Sequence, residues 1–277
     1  MQIGKFNQLE VSHLVDFGLY LNSEKGQILL PTKYTTGEEK PGDILNVFIY
    51  TDSEDRLIAT NLMPKAQLDD FACLTVKAVL PIGAFMDMGL EKDLFVPKQE
   101  MSEPMKEGER YVIKVCLDFK TNRLIGVSKL RAFLKRDTET LSEGQQVNLM
   151  VYKKTDLGYL CLIDETYEGL IFENQVFKKL KIGDNITGYI KQVREDGKVD
   201  LSLTPIGKAR FGQGADELMM VLEKAGGFLP YTDRTDPEVI KEKLGMSKKL
   251  FKASLGNLYK NNVVKLLPDG ISLIAGE

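Results

Sequence analysis

Glycine spacing repeats three times along this chain and constrains its fold more than any other feature. A first glycine is followed 24 or 25 residues later by a second, in the pairs Gly18 and Gly42, Gly83 and Gly108, and Gly158 and Gly183. A basic residue and an apolar one follow 14 or 15 residues after that, at Arg56-Leu57, Arg123-Leu124 and Lys198-Val199. We interpret the pattern as an internal repeat of about 65–75 residues, which is longer than a solenoid unit and predicts tandem domains.

The second repeat indicates what kind of domain this is. Its apolar residues fall into five short runs, separated by breakers such as Pro81 and Gly83, at 76–80, 84–88, 94–96, 111–117 and 124–127. The fourth run alternates apolar and polar residues, as a strand with one buried face does. Five strands of this length with turn signals between them predict a small closed β-barrel.

The motifs of this repeat resemble the S-one type of OB-fold, an RNA-binding repeat first described in the largest small-subunit ribosomal protein. They are Gly83-Ala84-Phe85 on the second strand, Gly108-Glu109 before the fourth and Arg123-Leu124 opening the fifth. The resemblance implies that Phe17, Tyr20 and Phe85 occupy positions where that family stacks bases, while Ile82 replaces an aromatic residue. The open alternative is that these rings belong to the barrel cores. In the third repeat the aromatic residue moves to Tyr159, which strand parity directs to the opposite face.

Residues 214–277 follow a different period, since their apolar residues recur at helical spacing. Helices are predicted at 216–225, after the N-cap Asp236 with Pro237 at the first helical position, and from Ser247 to about Asn261. A hairpin is predicted from 263–267 and 271–274, and the glycine-rich stretch 207–214 is predicted to be a linker. This order of elements resembles a winged helix-turn-helix.

The predicted fold is therefore multidomain and mainly β. Three tandem OB-fold, S-one-like β-barrels precede an α/β winged helix-turn-helix domain. The predicted boundaries are 1–63, 64–136 and 143–206 for the barrels and 214–277 for the winged helix. A short helix at 129–136 is expected to join the second and third barrels.

Charge and composition limit the function classes. The formal net charge is −3, and residues 1–63 alone carry 5 basic and 9 acidic side chains. Non-specific attraction to a phosphate backbone should therefore be weak, and binding must rely on local patches and stacking. With one histidine and three widely spaced cysteines, a zinc site is not expected. No apolar run is long enough to span a membrane, and the N-terminus is no signal peptide, so a cytoplasmic location is expected.

Candidate binding residues come from three places. The second barrel adds cations on or beside its strands to Phe85: Lys77, Lys114, Arg123, Lys129 and Arg131. The first barrel contributes Phe17 and Tyr20. The third predicted helix carries Lys249, Lys252 and Lys260 on one side, and the side with Leu250, Phe251, Leu255, Leu258 and Tyr259 is expected to pack inward. Each cation has an open alternative, which is that of an ordinary solvated surface residue.

Three S-one-like barrels followed by one winged helix resemble the bacterial family called conserved virulence factor B. The resemblance implies a cytoplasmic protein that binds single-stranded RNA in post-transcriptional regulation. From the residues themselves we expect no catalysis, no cofactor and no small-molecule substrate. Two alternatives stay open: a DNA-binding transcription regulator led by the winged helix, and a protein-interaction scaffold. An enzyme is the least favoured class, because no catalytic set of residues occurs at short spacing.

Overall fold

The computed structural model describes residues 1–176, 179–205, 207–261 and 263–274, with the side chains of 207–213 left aside. The chain divides into two compact units. The first consists of Met1–Lys135, Leu149–Glu168 and Lys178–Asn185, and the second of Arg136–Asn148, Gly169–Phe177 and Ile186–Glu277.

The first barrel closes from five strands. They are β1 (Phe6–Val15), β2 (Gly18–Ser23), β3 (Gly26–Pro31), β4 (Ile44–Thr51) and β5 (Leu57–Thr60). Their order around the barrel is β1-β2-β3-β5-β4, in which β3 and β5 are parallel neighbours. Leu19, Leu21, Ile28 and Ile49 are fully buried inside, as the alternating strand pattern requires.

The second and third barrels repeat this order. The second consists of β6 (Phe71–Leu80), β7 (Gly83–Met86), β8 (Leu94–Pro97), β9 (Arg110–Leu117) and β10 (Leu124–Val127). The third consists of β11 (Gln146–Thr155), β12 (Gly158–Ile163), β13 (Tyr167–Phe172), β14 (Asn185–Val193) and β15 (Val199–Ser202). Each first strand has a register shift at the same place, at Ser12, Lys77 and Tyr152. The prediction of three tandem OB-type barrels is confirmed.

The two glycines of each repeat have separate physical reasons. A Cβ atom at Gly18 or Gly83 would lie 2.2 Å from a carbonyl oxygen of the neighbouring strand, that of Leu30 or Val96. The second glycines turn the chain with positive φ angles, +96° at Gly42 and +79° at Gly108. L-residues with a Cβ rarely adopt such angles, so both positions of the repeat favour glycine.

In addition to its own core, the first barrel has a shared core with the second barrel within the first unit. Phe48 and Tyr50 of β4 are buried in the same cluster as Met88 and Leu90 of the second barrel. Tertiary packing of this kind holds two neighbouring barrels in a fixed relation. The groove that they leave between them is therefore part of the fold.

The C-terminal segment is a winged helix, as predicted. Its elements are α1 (Gly207–Lys224), β16 (Phe228–Leu229), α2 (Pro237–Leu244), α3 (Lys248–Lys260), β17 (Val264–Leu267) and β18 (Gly270–Leu273), and its sheet order is β16-β18-β17. Asp236 caps α2 by accepting a hydrogen bond from the Glu238 amide at 2.8 Å, and Gly245 ends that helix with φ +67°. Leu222, Ile240 and Phe251 are fully buried in its core.

Two predictions about connections were wrong, and one short strand was not predicted. The stretch 207–214 is the first part of α1 instead of a linker, so this helix begins before residue 216. The predicted helix at 129–136 is a single 3₁₀ turn, Leu130–Phe133, because only Leu130 of that turn is buried against other elements. The two-residue strand β16 was not predicted. The domain boundaries themselves stay a prediction.

Candidate nucleic-acid interface

A row of apolar side chains crosses the outer surface of the second barrel. Phe85 on β7 pairs in register with Phe95 on β8, and Phe95 pairs with Ile125 on β10. All three are half-buried, and the two rings lie 5.1 Å apart between centroids at 37° between planes. The row is therefore a partly exposed apolar surface with two rings, which we call the second-barrel row.

Phe85 lies outside the barrel core. Its neighbours Ala84 and Met86 are fully buried, whereas Phe85 belongs to the opposite set of alternating side chains. The alternative that its ring fills the core is therefore wrong.

The first barrel has an equivalent row, which we call the first-barrel row. Tyr20 pairs with Leu29, Leu29 with Ile58, and Ile58 with Tyr50. Tyr20 and Leu29 hold the places of Phe85 and Phe95, since Tyr20 comes two residues after the turn glycine and Leu29 two residues before the strand-ending proline.

Two more rings extend the first-barrel row at its Tyr20 end. His13 on β1 stacks on Tyr20 with ring centroids 5.2 Å apart, and Phe17 makes an edge contact at 6.4 Å. Phe17 is 59% exposed. This end of the row is therefore an open cluster of three rings.

The two rows meet in one cleft of about 550 Å³ within the first unit. Ile58 and Tyr50 line it from the first barrel, and Phe85, Phe95 and Ile125 line it from the second. Because the shared core fixes the two barrels, their outer faces form one continuous surface here.

Two cations stand at the same cleft. Arg123 pairs with the Asp55 carboxylate of the β4–β5 turn. Lys92 donates to the Asp52 carbonyl oxygen at 2.5 Å, and its Nζ lies 3.8 Å from Asp55. The hydrogen bond from Arg123 holds the pKa of Asp55 below its ordinary value, and burial lowers the pKa of Lys92. The cleft thus combines aromatic walls with a paired group of charges.

The third barrel lacks these rings. The positions of Phe85 and Phe95 are held by Leu160 and Leu170, and Leu170 pairs in register with Asp200. Asp200 is buried and forms an ion pair with Arg194 at 2.8 Å. Tyr159 is buried, in agreement with the parity argument. With a buried carboxylate and leucines in place of the two phenylalanines, and with Arg194 over the one nearby ring of Phe172, this face is a poorer platform for bases.

The predicted cations of the second barrel do not converge on its row, Arg123 apart. Lys77 pairs with Asp93 at 2.8 Å, and Lys114 lies 4.0 Å over the ring of Phe71. The other two cations form hydrogen bonds elsewhere. Lys129 donates to the Gln99 carbonyl, and Arg131 donates to both carboxylate oxygens of Glu168 at 2.8 and 2.9 Å. Their part in binding stays a prediction.

Helix α3 presents its lysines to solvent. Lys249, Lys252 and Lys260 are exposed, and Lys252 lies 3.9 Å from the Asp233 carboxylate. On the predicted inward side Phe251, Leu255 and Leu258 are buried, but Tyr259 is 53% exposed because it falls at the edge of that face.

Comparison with known proteins agrees with this architecture. A family model described as the S1 domain, the S-one type of OB-fold, matches residues 3–62, and one described as the CvfB-like winged helix domain matches residues 216–273.

Conserved virulence factor B of Staphylococcus epidermidis is 23% identical over 98% of this chain and 94% of its own. The uncharacterized protein YitL of Bacillus subtilis is 30% identical over 95% of this chain and 91% of its own. The chain belongs to the conserved virulence factor B family. A solved Streptococcus pneumoniae chain, described as a multidomain protein with nucleic acid binding domains, is 25% identical over 98% of both chains, with a TM-score of 0.45.

The two matched domains, S1 and winged helix, are of types that bind nucleic acid, and they indicate nucleic acid as the class of ligand for this chain. Within the described part of the chain, no three His, Cys, Asp or Glu side chains are grouped to hold a metal ion. No helix among the described residues has the length and apolar character needed to cross a membrane.

Sequence reasoning did not single out three residues that the structure places in the cleft or exposes beside its strands. Phe95 and Lys92 were not singled out, because their contacts with Ile125 and Asp55 join segments that are distant in sequence. Phe119, in the β9–β10 turn, is 95% exposed and lies four residues before Arg123. A lone aromatic residue in the polar stretch 118–123 was the available signal.

Proposed function

We propose that the chain binds single-stranded RNA along the first-barrel row and the second-barrel row. The observation that carries the proposal is their meeting in one cleft, so that a strand leaving one stacking surface enters the next. Aromatic platforms are how OB-type barrels bind unpaired bases, with about 1–3 kcal/mol for each stacked base.

The composition of the interface favours single strands over duplexes. In a duplex the bases are already stacked on each other, and a protein gains affinity chiefly through phosphate contacts. Here the net charge is −3 and the cleft cations are paired, whereas rings such as Phe17 are exposed. Unpaired bases can cover such rings by stacking on them.

The winged helix would add a second and weaker contact through the α3 lysines. Weak sites on one chain reinforce each other when both engage the same strand. We place the activity in the cytoplasm, as control of gene expression after transcription, with no catalytic step. The separation of the three cysteines over different strands supports a reducing compartment.

A second candidate, a DNA-binding transcription regulator, is favoured by one observation. Helix α3 carries three exposed lysines on a winged helix, and such a helix can enter a DNA groove or lie along a backbone. This function would place the principal site on the winged helix instead of on the barrels.

Fluorescence anisotropy at one fixed salt concentration separates the two functions. The probes are a labelled RNA strand of about twelve nucleotides, the same sequence as single-stranded DNA, and the corresponding DNA duplex. We expect the RNA strand to bind more tightly than the duplex. Equal or tighter binding of the duplex would contradict the RNA proposal and support the transcription regulator.

A further inference from the structure

An acidic side chain of the first barrel forms ion pairs with the two cations of the cleft. Asp55, at the tip of the β4–β5 turn, pairs with Arg123 and lies 3.8 Å from Lys92. These two cations belong to the second barrel and line the same cleft as its Phe95 ring. An anionic group is therefore already present where a phosphate beside a stacked base would lie.

The turn is built to direct Asp55 outward to the second barrel. Asp52 accepts hydrogen bonds from the amides of Glu54 and Arg56 at 2.9 and 3.0 Å, which fixes the turn. Arg56 pairs with Asp52 and Glu54, both at 2.8 Å. Two carboxylates of the turn are thus paired within it, whereas that of Asp55 pairs across the cleft.

We propose that this cleft is a one-nucleotide site on the RNA path. The base lies against Phe85 and Phe95, and its phosphate takes the place of the Asp55 carboxylate on Arg123 and Lys92. The proposal rests on the RNA function proposed above and goes beyond it, by assigning a composite site to two barrels and a competing role to Asp55. A cleft of about 550 Å³ lies within the range that small ligands occupy.

When a phosphate replaces the Asp55 carboxylate, one singly charged anion takes the place of another on the two cations. Carboxylate and phosphate oxygens both accept charge-assisted hydrogen bonds from a guanidinium group, and Arg123 can serve either. In the free protein the carboxylate also offsets the repulsion between two neighbouring cations. RNA must displace it, so Asp55 lowers the affinity for a strand whose phosphate binds Arg123.

The decisive variant is Asp55→Asn, with Glu54→Gln as the matched control on the same turn. Asparagine tolerates the φ of +65° at position 55, so the turn should keep its form. Asp55→Asn should tighten the binding of a twelve-nucleotide RNA strand by about two- to fivefold, the worth of a partly exposed charge pair. The log–log salt slope should steepen by about 0.7, because the variant has no displaced carboxylate that takes up a cation and so offsets one cation released from the RNA.

Glu54→Gln removes the same charge from the same turn without touching the cleft cations, so its affinity and salt slope should stay close to those of the wild type. If Asp55→Asn and Glu54→Gln change RNA binding equally, or if Asp55→Asn weakens it, the inference is wrong. If the wild type binds no RNA at all, the proposed function itself has failed, which is a different result.

A second variant tests the site without altering the turn. Arg123→Gln should weaken RNA binding and flatten the salt slope by about 0.7, because one fewer phosphate is neutralised. If Arg123 serves only its pair with Asp55, this variant leaves RNA affinity unchanged, and the proposal is overturned. In the double variant the gain from Asp55→Asn should disappear; a gain that persists would reflect net charge alone.

Discussion

Phe85 lies on the outside of its barrel, and this placement determines what its removal should cost. Phe85→Ala should weaken the binding of single-stranded RNA by about 1–3 kcal/mol, because the variant has one stacking platform fewer. It should leave the free energy of unfolding nearly unchanged, since the ring does not fill the core. An anisotropy titration beside a thermal unfolding curve measures both.

The neighbouring Met86 supplies the control. Its side chain is fully buried, so Met86→Ala should cost about 2–5 kcal/mol of the free energy of unfolding through the cavity that it leaves. A drop in melting temperature for Phe85→Ala as large as that for Met86→Ala would contradict the stacking role.

Cys161 is fully buried on β12, and burial raises the pKa of its thiol to about 12. An ordinary thiol has a pKa near about 8.5, so above that pH the unfolded chain loses a proton that the folded chain keeps. The contribution of Cys161 to stability is therefore complete below about pH 8.5 and decreases as the pH rises further.

Alkylation measures the state of this thiol directly. At about pH 8, iodoacetamide should not modify Cys161 in the folded protein, because the reactive thiolate is absent. In denaturant all three cysteines should react, and the half-buried Cys73 and Cys116 serve as internal references. Modification of Cys161 in the folded protein as fast as at those two positions would show that β12 is not packed as described.

At the scale of single elements, helix α3 combines a buried apolar face with exposed lysines but offers no stacking row. The affinity of its contact with RNA should therefore depend on salt concentration and be the same for all bases. Replacing Lys249, Lys252 and Lys260 by glutamine should flatten the log–log salt slope by up to about two units, at about 0.7 for each phosphate that is no longer neutralised. Base preference should stay the same. Anisotropy titrations at several salt concentrations, with strands of different base composition, measure both quantities.

The matched control replaces three exposed lysines of the other two helices, Lys224, Lys241 and Lys243. This variant loses the same charge, so its slope should change less if α3 makes the contact. Equal flattening in both variants would mean that the winged helix acts only through its overall charge.

At the scale of the whole molecule, the sequence was sufficient to predict the three barrels and the winged helix. The reason is that the repeat rests on local requirements. Glycine is needed at position 83, where β7 approaches the Val96 carbonyl, and at position 108, where φ is positive. Both glycines therefore recur at a fixed spacing in the sequence, where they can be recognised. Helix caps such as Asp236 are local in the same way.

The cleft could not be predicted because its walls come from separate domains. Asp55 and Arg123 are 68 residues apart, and nothing in either stretch specifies the other. The shared core around Phe48 and Met88, which brings them together, is likewise a product of tertiary packing. The helix at 207–214 was missed since its glycines favour a linker when they are considered alone.

The central claim is that RNA lies on the barrel rows, and photo-cross-linking tests it most directly. Single-stranded RNA that carries 4-thiouridine would be bound to the full chain, irradiated, and its cross-linked peptides identified by mass spectrometry. We predict cross-links in residues 13–20 and 82–95, which hold the rings at the two ends of the path. Cross-links confined to residues 248–260 would contradict the account and place the principal site on the winged helix.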